Sequence, residues 1–194
     1  MKKKKLLLIA LLLVGAASSF AAKVDTLLVK SPSMNKDIKV VVVTPDAALG
    51  KKATACPTVY LLHGFGGHAK TWIEIKPNLP QIADEKGIIF VCPDGSTSWY
   101  WDSPKDPSFR YETFVSSELV KYIDEHYKTI ADRKGRAITG LSMGGHGAMW
   151  NAIRHKRYVW CQWKYKRRMD IRPFRKLGTW LNSWENMNRI RSMG

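Results

Sequence analysis

Residues 137–144 read Ala137-Ile138-Thr139-Gly140-Leu141-Ser142-Met143-Gly144, a short apolar run entering a G-x-S-x-G pentapeptide. The apolar run has strand character, and Gly144 to Arg154 has helix character, so the pentapeptide is read as a strand-to-helix turn. Glycines on both sides of Ser142 let strand and helix approach closely, since neither carries a Cβ. Such a turn pushes the serine Oγ outward at the carboxyl end of the strand. It also leaves the first N–H groups of the following helix free to meet a developing negative charge. Ser142 is therefore the candidate nucleophile.

Working outward from that turn, the rest of the chain alternates strands with helices. Thr26-Leu27-Leu28-Val29 and Ile38 to Val43 read as an antiparallel pair around the turn-rich Ser31-Pro32-Ser33-Met34-Asn35. Thr58 to Leu62 and Ile88 to Cys92 are apolar on both faces, as strands covered by helices on both sides require. One helix is expected between them, over Trp72 to Lys86. A second is expected from Glu112 to Tyr127, where Phe114, Leu119, Val120, Ile123 and Tyr127 recur at helical spacing. Alternation of this kind implies parallel crossovers and an α/β sandwich.

Both ends of the chain depart from this pattern. Lys2 to Lys5 precede the apolar run Leu6 to Val14, and Ser19-Phe20-Ala21 fits the small-x-small rule for signal peptidase. Residues 1–21 are thus expected to be a signal peptide, with the mature chain starting near Ala22, exported to the periplasm or the medium; an uncleaved N-terminal anchor is the alternative. The apolar run is shorter than the ~20 residues a membrane span needs, so no stable span is expected after cleavage. Most of the net charge of +16 lies at the two ends. The lysine run supplies four charges, residues 155–194 carry eleven basic against two acidic residues, and the body between keeps only +3. A nearly neutral body argues against nucleic acid as a partner. Cys56, Cys92 and Cys161 show no Cys/His spacing for a metal site. If their strands run parallel, Cys56 and Cys92 lie at opposite ends of the sheet, beyond disulfide reach, and act as small buried hydrophobes.

A second constellation, His63-Gly64-Phe65-Gly66-Gly67, follows directly on an apolar strand. A glycine-rich loop there can aim a backbone N–H at the point where a carbonyl oxygen becomes negative. The amides of Phe65 and Met143 are the expected oxyanion pair, with His63 ordering the loop rather than acting as base.

LLHGFGG, FVCPDG, SWYWDSP and GLSMGGHGAMW occur in this order, and together they resemble the putative-esterase family of α/β-hydrolases. That family includes esterase D (S-formylglutathione hydrolase), tributyrin-type and feruloyl esterases, and mycolyltransferases. The resemblance covers residues 24–155. It implies an α/β-hydrolase fold, a mostly parallel sheet flanked by helices, here C-terminally truncated. It also implies hydrolysis of carboxylic esters through an acyl-serine on Ser142, with no metal or cofactor, on a small-molecule or carbohydrate-linked ester. Tyr100, Trp101 and Asp102 are implied to lie near the acyl or alcohol pocket; ordinary core packing is the alternative for the aromatics.

In that fold the triad runs Ser, then Asp or Glu, then His. After Ser142 the only histidines are His146, one helical turn on, and His155, near the helix end, so neither sits on a loop of its own above the serine. Asp170 and Glu185 fall in a tail, residues 156–194, that holds Trp160, Trp163, Trp180 and Trp184 among basic residues. Ser142 without acid and histidine is a poor nucleophile. A single-base frame change near Arg157, restored near Met169, would convert the tail's start into a small-residue strand like the one that follows the nucleophile helix in this family. Residues 22–155 are accordingly read as the N-terminal part of the hydrolase domain. Two rival readings are acyl transfer to a sugar or lipid hydroxyl, and a non-catalytic protein binding nucleic acid or anionic lipid through the tail.

Overall fold

The structure is a computed structural model and describes residues 22–157 together with Trp160 and Cys161. The signal-peptide reading, the frame change and the tail acids Asp170 and Glu185 lie outside the described residues. Six strands form one sheet: β1 (Lys23–Ser31), β2 (Lys36–Thr44), β3 (Thr58–Leu62), β4 (Ile89–Pro93), β5 (Arg136–Gly140) and β6 (Trp160–Cys161), in the spatial order β1-β2-β4-β3-β5-β6. β1 and β2 pair antiparallel, as does β2 with β4, while β4, β3, β5 and β6 run parallel. The expected hairpin and the expected parallel crossovers are both present.

Alternation along each strand divides the core into two layers. Val40, Val42, Tyr60, Leu62, Ile89, Val91 and Ile138 face one side. Val41, Val43, Val59, Leu61, Phe90, Cys92 and Ala137 face the other. The second face is covered by α1 (Thr71–Ile75) and α2 (Leu79–Lys86), through Trp72, Leu79, Ile82 and Ala83. Where one helix was expected there are two. Pro77 disfavours helical backbone at the residue before it, and Lys76 sits at φ −135°, ψ 72°. Leu79 then restarts the helix with a proline in its first turn, and Gly87 ends it in the left-handed conformation at φ 61°.

The first face is covered by one helical run and by the helix after the turn. The run comprises α3 (Tyr111–Thr113), a π-helical turn at Phe114–Glu118, and α4 (Leu119–His126). Its Phe114, Leu119 and Ile123 are fully buried, which accounts for the periodicity of that stretch. The helix after the turn is α5 (Met143–Arg154). Cys56 and Cys92 are both free and buried, and burial pushes both thiols up. Among the described residues β6 is the strand beyond β5, with Ala137 and Ile138 pairing opposite Trp160 and Cys161.

Candidate active site

Ser142 stands between β5 and α5 at φ 49°, ψ −115°, a left-handed conformation that a non-glycine residue adopts only where its surroundings impose it. The imposing contacts are backbone on backbone. A Cβ on Gly140 would lie 2.4 Å from the carbonyl carbon of Gly144, and one on Gly144 would lie 2.3 Å from the carbonyl oxygen of Leu62. Both glycines of the pentapeptide are therefore required by space. The turn is closed by the Gly144 N–H donating to Leu141 O at 2.7 Å, and His146 N–H donates to Ser142 O at 3.0 Å. Ser142 is exposed, at the carboxyl end of its strand and the N-terminus of α5, while Met143 beneath it is fully buried.

The His63–Gly67 loop packs directly on this turn. A Cβ on Gly64 would meet Leu141 O at 3.4 Å and the Ser142 Cβ at 3.6 Å. Phe65 follows with its side chain 66% exposed. His63 is wholly buried and its ring is consumed in holding the loop. Nε2 accepts from the Gly95 N–H at 2.8 Å, which leaves Nδ1–H to donate to Gly64 O at 2.7 Å. The Asp94 carboxylate lies 3.6 Å from Nε2 and takes the Ser96 N–H at 2.8 Å. Since Nε2 already accepts from Gly95, the Asp94 contact is proximity rather than an ion pair.

Tyr100, Trp101 and Asp102 occupy three different settings. Tyr100 is fully buried. Its ring fills the space that Gly95 and Gly147 leave open, with added Cβ atoms coming 2.2 Å and 2.6 Å from it. Its hydroxyl accepts the His63 N–H at 3.0 Å and donates to His63 O at 3.3 Å. Trp101 is 44% exposed. Asp102 accepts from the Thr113 N–H at 3.0 Å and from Thr113 Oγ1 at 2.5 Å, so it ties the loop to α3.

Sequence reasoning missed the tyrosine's bracing role, and it missed the ring cluster beside the serine. His146 meets Trp99 at 5.5 Å and Trp101 at 5.3 Å between ring centroids, both edge-on, and Trp150 lies one turn further along α5. The signal that could have found this is spacing, since Ser142, His146, Trp150 and Arg154 recur every four residues along one helix face. His155 is also accounted for. Its Nε2 lies 2.7 Å from the Glu112 carboxylate, which further accepts from Trp150 Nε1 and Arg154 Nε at 2.7 Å each. Burial pushes the Glu112 carboxyl up, but these three donors outweigh it and hold it below the usual carboxylate range. Among the described residues, no imidazole or carboxylate is hydrogen-bonded to Ser142 Oγ, and no group of three or more His, Cys, Asp or Glu could hold a metal ion.

Comparison with known proteins gives a consistent picture. The model of the family described as "Putative esterase" matches residues 31–159, about two thirds of the chain. The diacylglycerol acyltransferase/mycolyltransferase Ag85B of Mycolicibacterium smegmatis is 31% identical over 151 residues, covering 73% of this chain and 43% of that protein. A ferulic acid esterase structure superposes with a TM-score of 0.63 at 31% identity, covering 72% of this chain and 58% of the other. The S-formylglutathione hydrolase from Agrobacterium tumefaciens superposes with a TM-score of 0.64 at 24% identity, covering 74% and 58%, and this shows the fold alone. The chain spans less than half the length of the curated relatives it matches. Together with the strained serine turn and the sheet order, these matches place the chain in the esterase family, on an α/β-hydrolase fold.

Proposed function

We propose that Ser142 is the nucleophile of a serine carboxylic ester hydrolase, and the observation that carries this is its imposed positive-φ turn with Gly64 packed against it. Oγ attacks the acyl carbon while its proton passes to a general base. The carbonyl oxygen becomes negative opposite the Phe65 and Met143 amides, the alcohol leaves with a proton, and water then releases the acid from the acyl-serine. No cofactor or metal takes part.

The base and its carboxylate partner are not among the described residues. His63 and His155 are held elsewhere, and the ring of His146 packs edge-on against Trp99 and Trp101. In the order Ser, acid, His, both groups belong to sequence after Ser142, and this sequence has no histidine after His155. The 194-residue chain is therefore expected to give no turnover of p-nitrophenyl butyrate above background. A form whose later sequence supplies acid and histidine is expected to hydrolyse it, and Ser142→Ala to remove that rate, by about 10⁶ in the best-studied triad. Turnover that survives Ser142→Ala overturns the assignment.

Acyl transfer is the second reading, favoured by the likeness to Ag85B. Adding an acceptor alcohol and counting free acid against new ester separates the two. Export is part of the proposal: Lys2 to Lys5, the Leu6 to Val14 run and Ser19-Phe20-Ala21 compose a cleavable leader, residues 22–155 the hydrolase part, and 156–194 a frame-altered tail. Among the described residues no helix is long and apolar enough to cross a membrane.

A further inference from the structure

The residue that precedes β1 is buried. Ala22 is 6% exposed, although it immediately precedes the sheet-edge strand β1. It packs in the layer formed by Val41, Val43, Ile82 and Ala83. Its backbone nitrogen donates to Asp84 Oδ2 at 2.6 Å, a contact spanning 62 positions of sequence. The other oxygen of the same carboxylate accepts the Asp46 N–H at 2.8 Å. One side chain of α2 thus holds the start of β1 and the turn after β2 together.

A carboxylate is a stronger partner than one amide N–H requires. It is the partner an ammonium group requires, because a charge taken out of water is costly unless it is paired. The sequence offers a way to produce that ammonium: Ser19-Phe20-Ala21 places the peptidase cut between Ala21 and Ala22. Hydrolysis of that peptide bond by water leaves a carboxylate on Ala21 and an amine on Ala22. The amine has an ordinary pKa of about 7.7–8, so it is largely protonated at neutral pH.

We infer that Ala22 is the processed N-terminus and that its new α-ammonium is received by Asp84, so that cleavage turns an amide–carboxylate hydrogen bond into an ion pair that clasps the sheet edge. This rests on the export reading and is independent of Ser142. It commits the cut to one bond, since Ala22 is the residue whose nitrogen meets the carboxylate.

The test uses the precursor expressed in an exporting host, in wild-type and Asp84→Asn forms. Mass analysis of the exported chain is expected to give Ala22 as first residue. A chain retained uncleaved defeats the export reading, and a chain cut elsewhere defeats the clasp while leaving export standing. The purified chains are then acetylated at pH 6.5, where α-amines react ahead of lysines. In the wild type the Ala22 amine is expected to react about tenfold more slowly in the native state than in urea, and Asp84→Asn to remove most of that protection. Blocking the amine is expected to lower Tm in the wild type and to leave Asp84→Asn nearly unchanged. Equal reactivity of native and urea-unfolded wild type overturns the inference without any variant, as does an equal Tm change in both forms.

Discussion

Two stretches beside the serine hold non-glycine residues at positive φ, and they are braced in opposite ways. At the turn, Ser142 at φ 49° is enforced by main chain pressed on main chain, where Gly140, Gly144 and the Leu62 carbonyl meet. In the loop after β4, Ser96, Trp99 and Tyr100 stand at φ 49°, 56° and 59°, held by side chains instead. The Tyr100 ring is seated between Gly95 and Gly147, its hydroxyl spans the His63 amide and carbonyl, and Asp94 and Ser98 oxygens take the Ser96 and Tyr100 amides. The first brace has no part that can rotate away. The second depends on one phenol. Strain held by backbone contact should fail abruptly when space is removed, whereas strain held by a side chain should fail in proportion to the bonds lost.

The largest expected effect is at the turn. Gly144→Ala drives a Cβ to 2.3 Å from the Leu62 carbonyl oxygen, which no side-chain movement relieves. The cost is roughly 3 kcal/mol or more, a fall in Tm on the order of 10 °C, read by thermal unfolding. A fall below a few degrees would show that β3 and α5 can part, and that the turn is no more rigid than the loop.

Tyr100→Phe comes next. It keeps the ring and removes the hydroxyl, so the buried His63 N–H loses its acceptor at a cost of about 2 kcal/mol. Amide exchange of His63 and Gly95 is the sharper readout, and both should speed up together if the phenol ties the two loops. Unchanged exchange would mean that the His63 ring alone holds them.

Sequence alone showed one of these braces and hid the other, for a physical reason. The turn announces itself because its strain is accommodated by glycines, and glycine around a serine is visible as composition. The sheet was equally legible, because two-sided apolar runs such as Thr58 to Leu62 have no other economical place. The loop carries its strain on Ser96, Trp99 and Tyr100, residues with no left-handed preference, so nothing in the stretch from Ser96 to Pro104 marks them. Its partners Gly95 and Gly147 lie 52 positions apart, and only a folded ring joins them. The same limit applies to Glu112, which reads as an ordinary helix-face acid until Trp150, Arg154 and His155 converge on it.

Glu112 anchors the far end of the loop, so its pH response tests whether the loop is fixed at both ends. Its folded pKa is depressed below the ordinary 4.5, so its contribution is present above that value and is lost as pH falls through the folded pKa. Glu112→Gln has no such titration. The stability gap between wild type and Glu112→Gln should therefore be level near neutrality and narrow below pH 4.5, measured by urea unfolding at several pH values. A gap that is flat into the acid range would show that the three donors do not depend on the charge.

The smallest effect separates strain that serves chemistry from strain that only shapes a loop. Ser96→Gly removes a Cβ from a left-handed residue and keeps the amide that Asp94 accepts, so it should stabilise by up to about 1 kcal/mol. Ser142→Gly relieves the same kind of strain at the same φ and should stabilise by a similar amount, but it deletes the Oγ of the proposed nucleophile. A matched gain at both positions would mean that the fold tolerates strain generally and that only Ser142 makes chemical use of it. A gain at Ser96 alone would mean that the backbone contacts around Gly140 and Gly144 stabilise the serine's conformation so fully that no strain remains there to release.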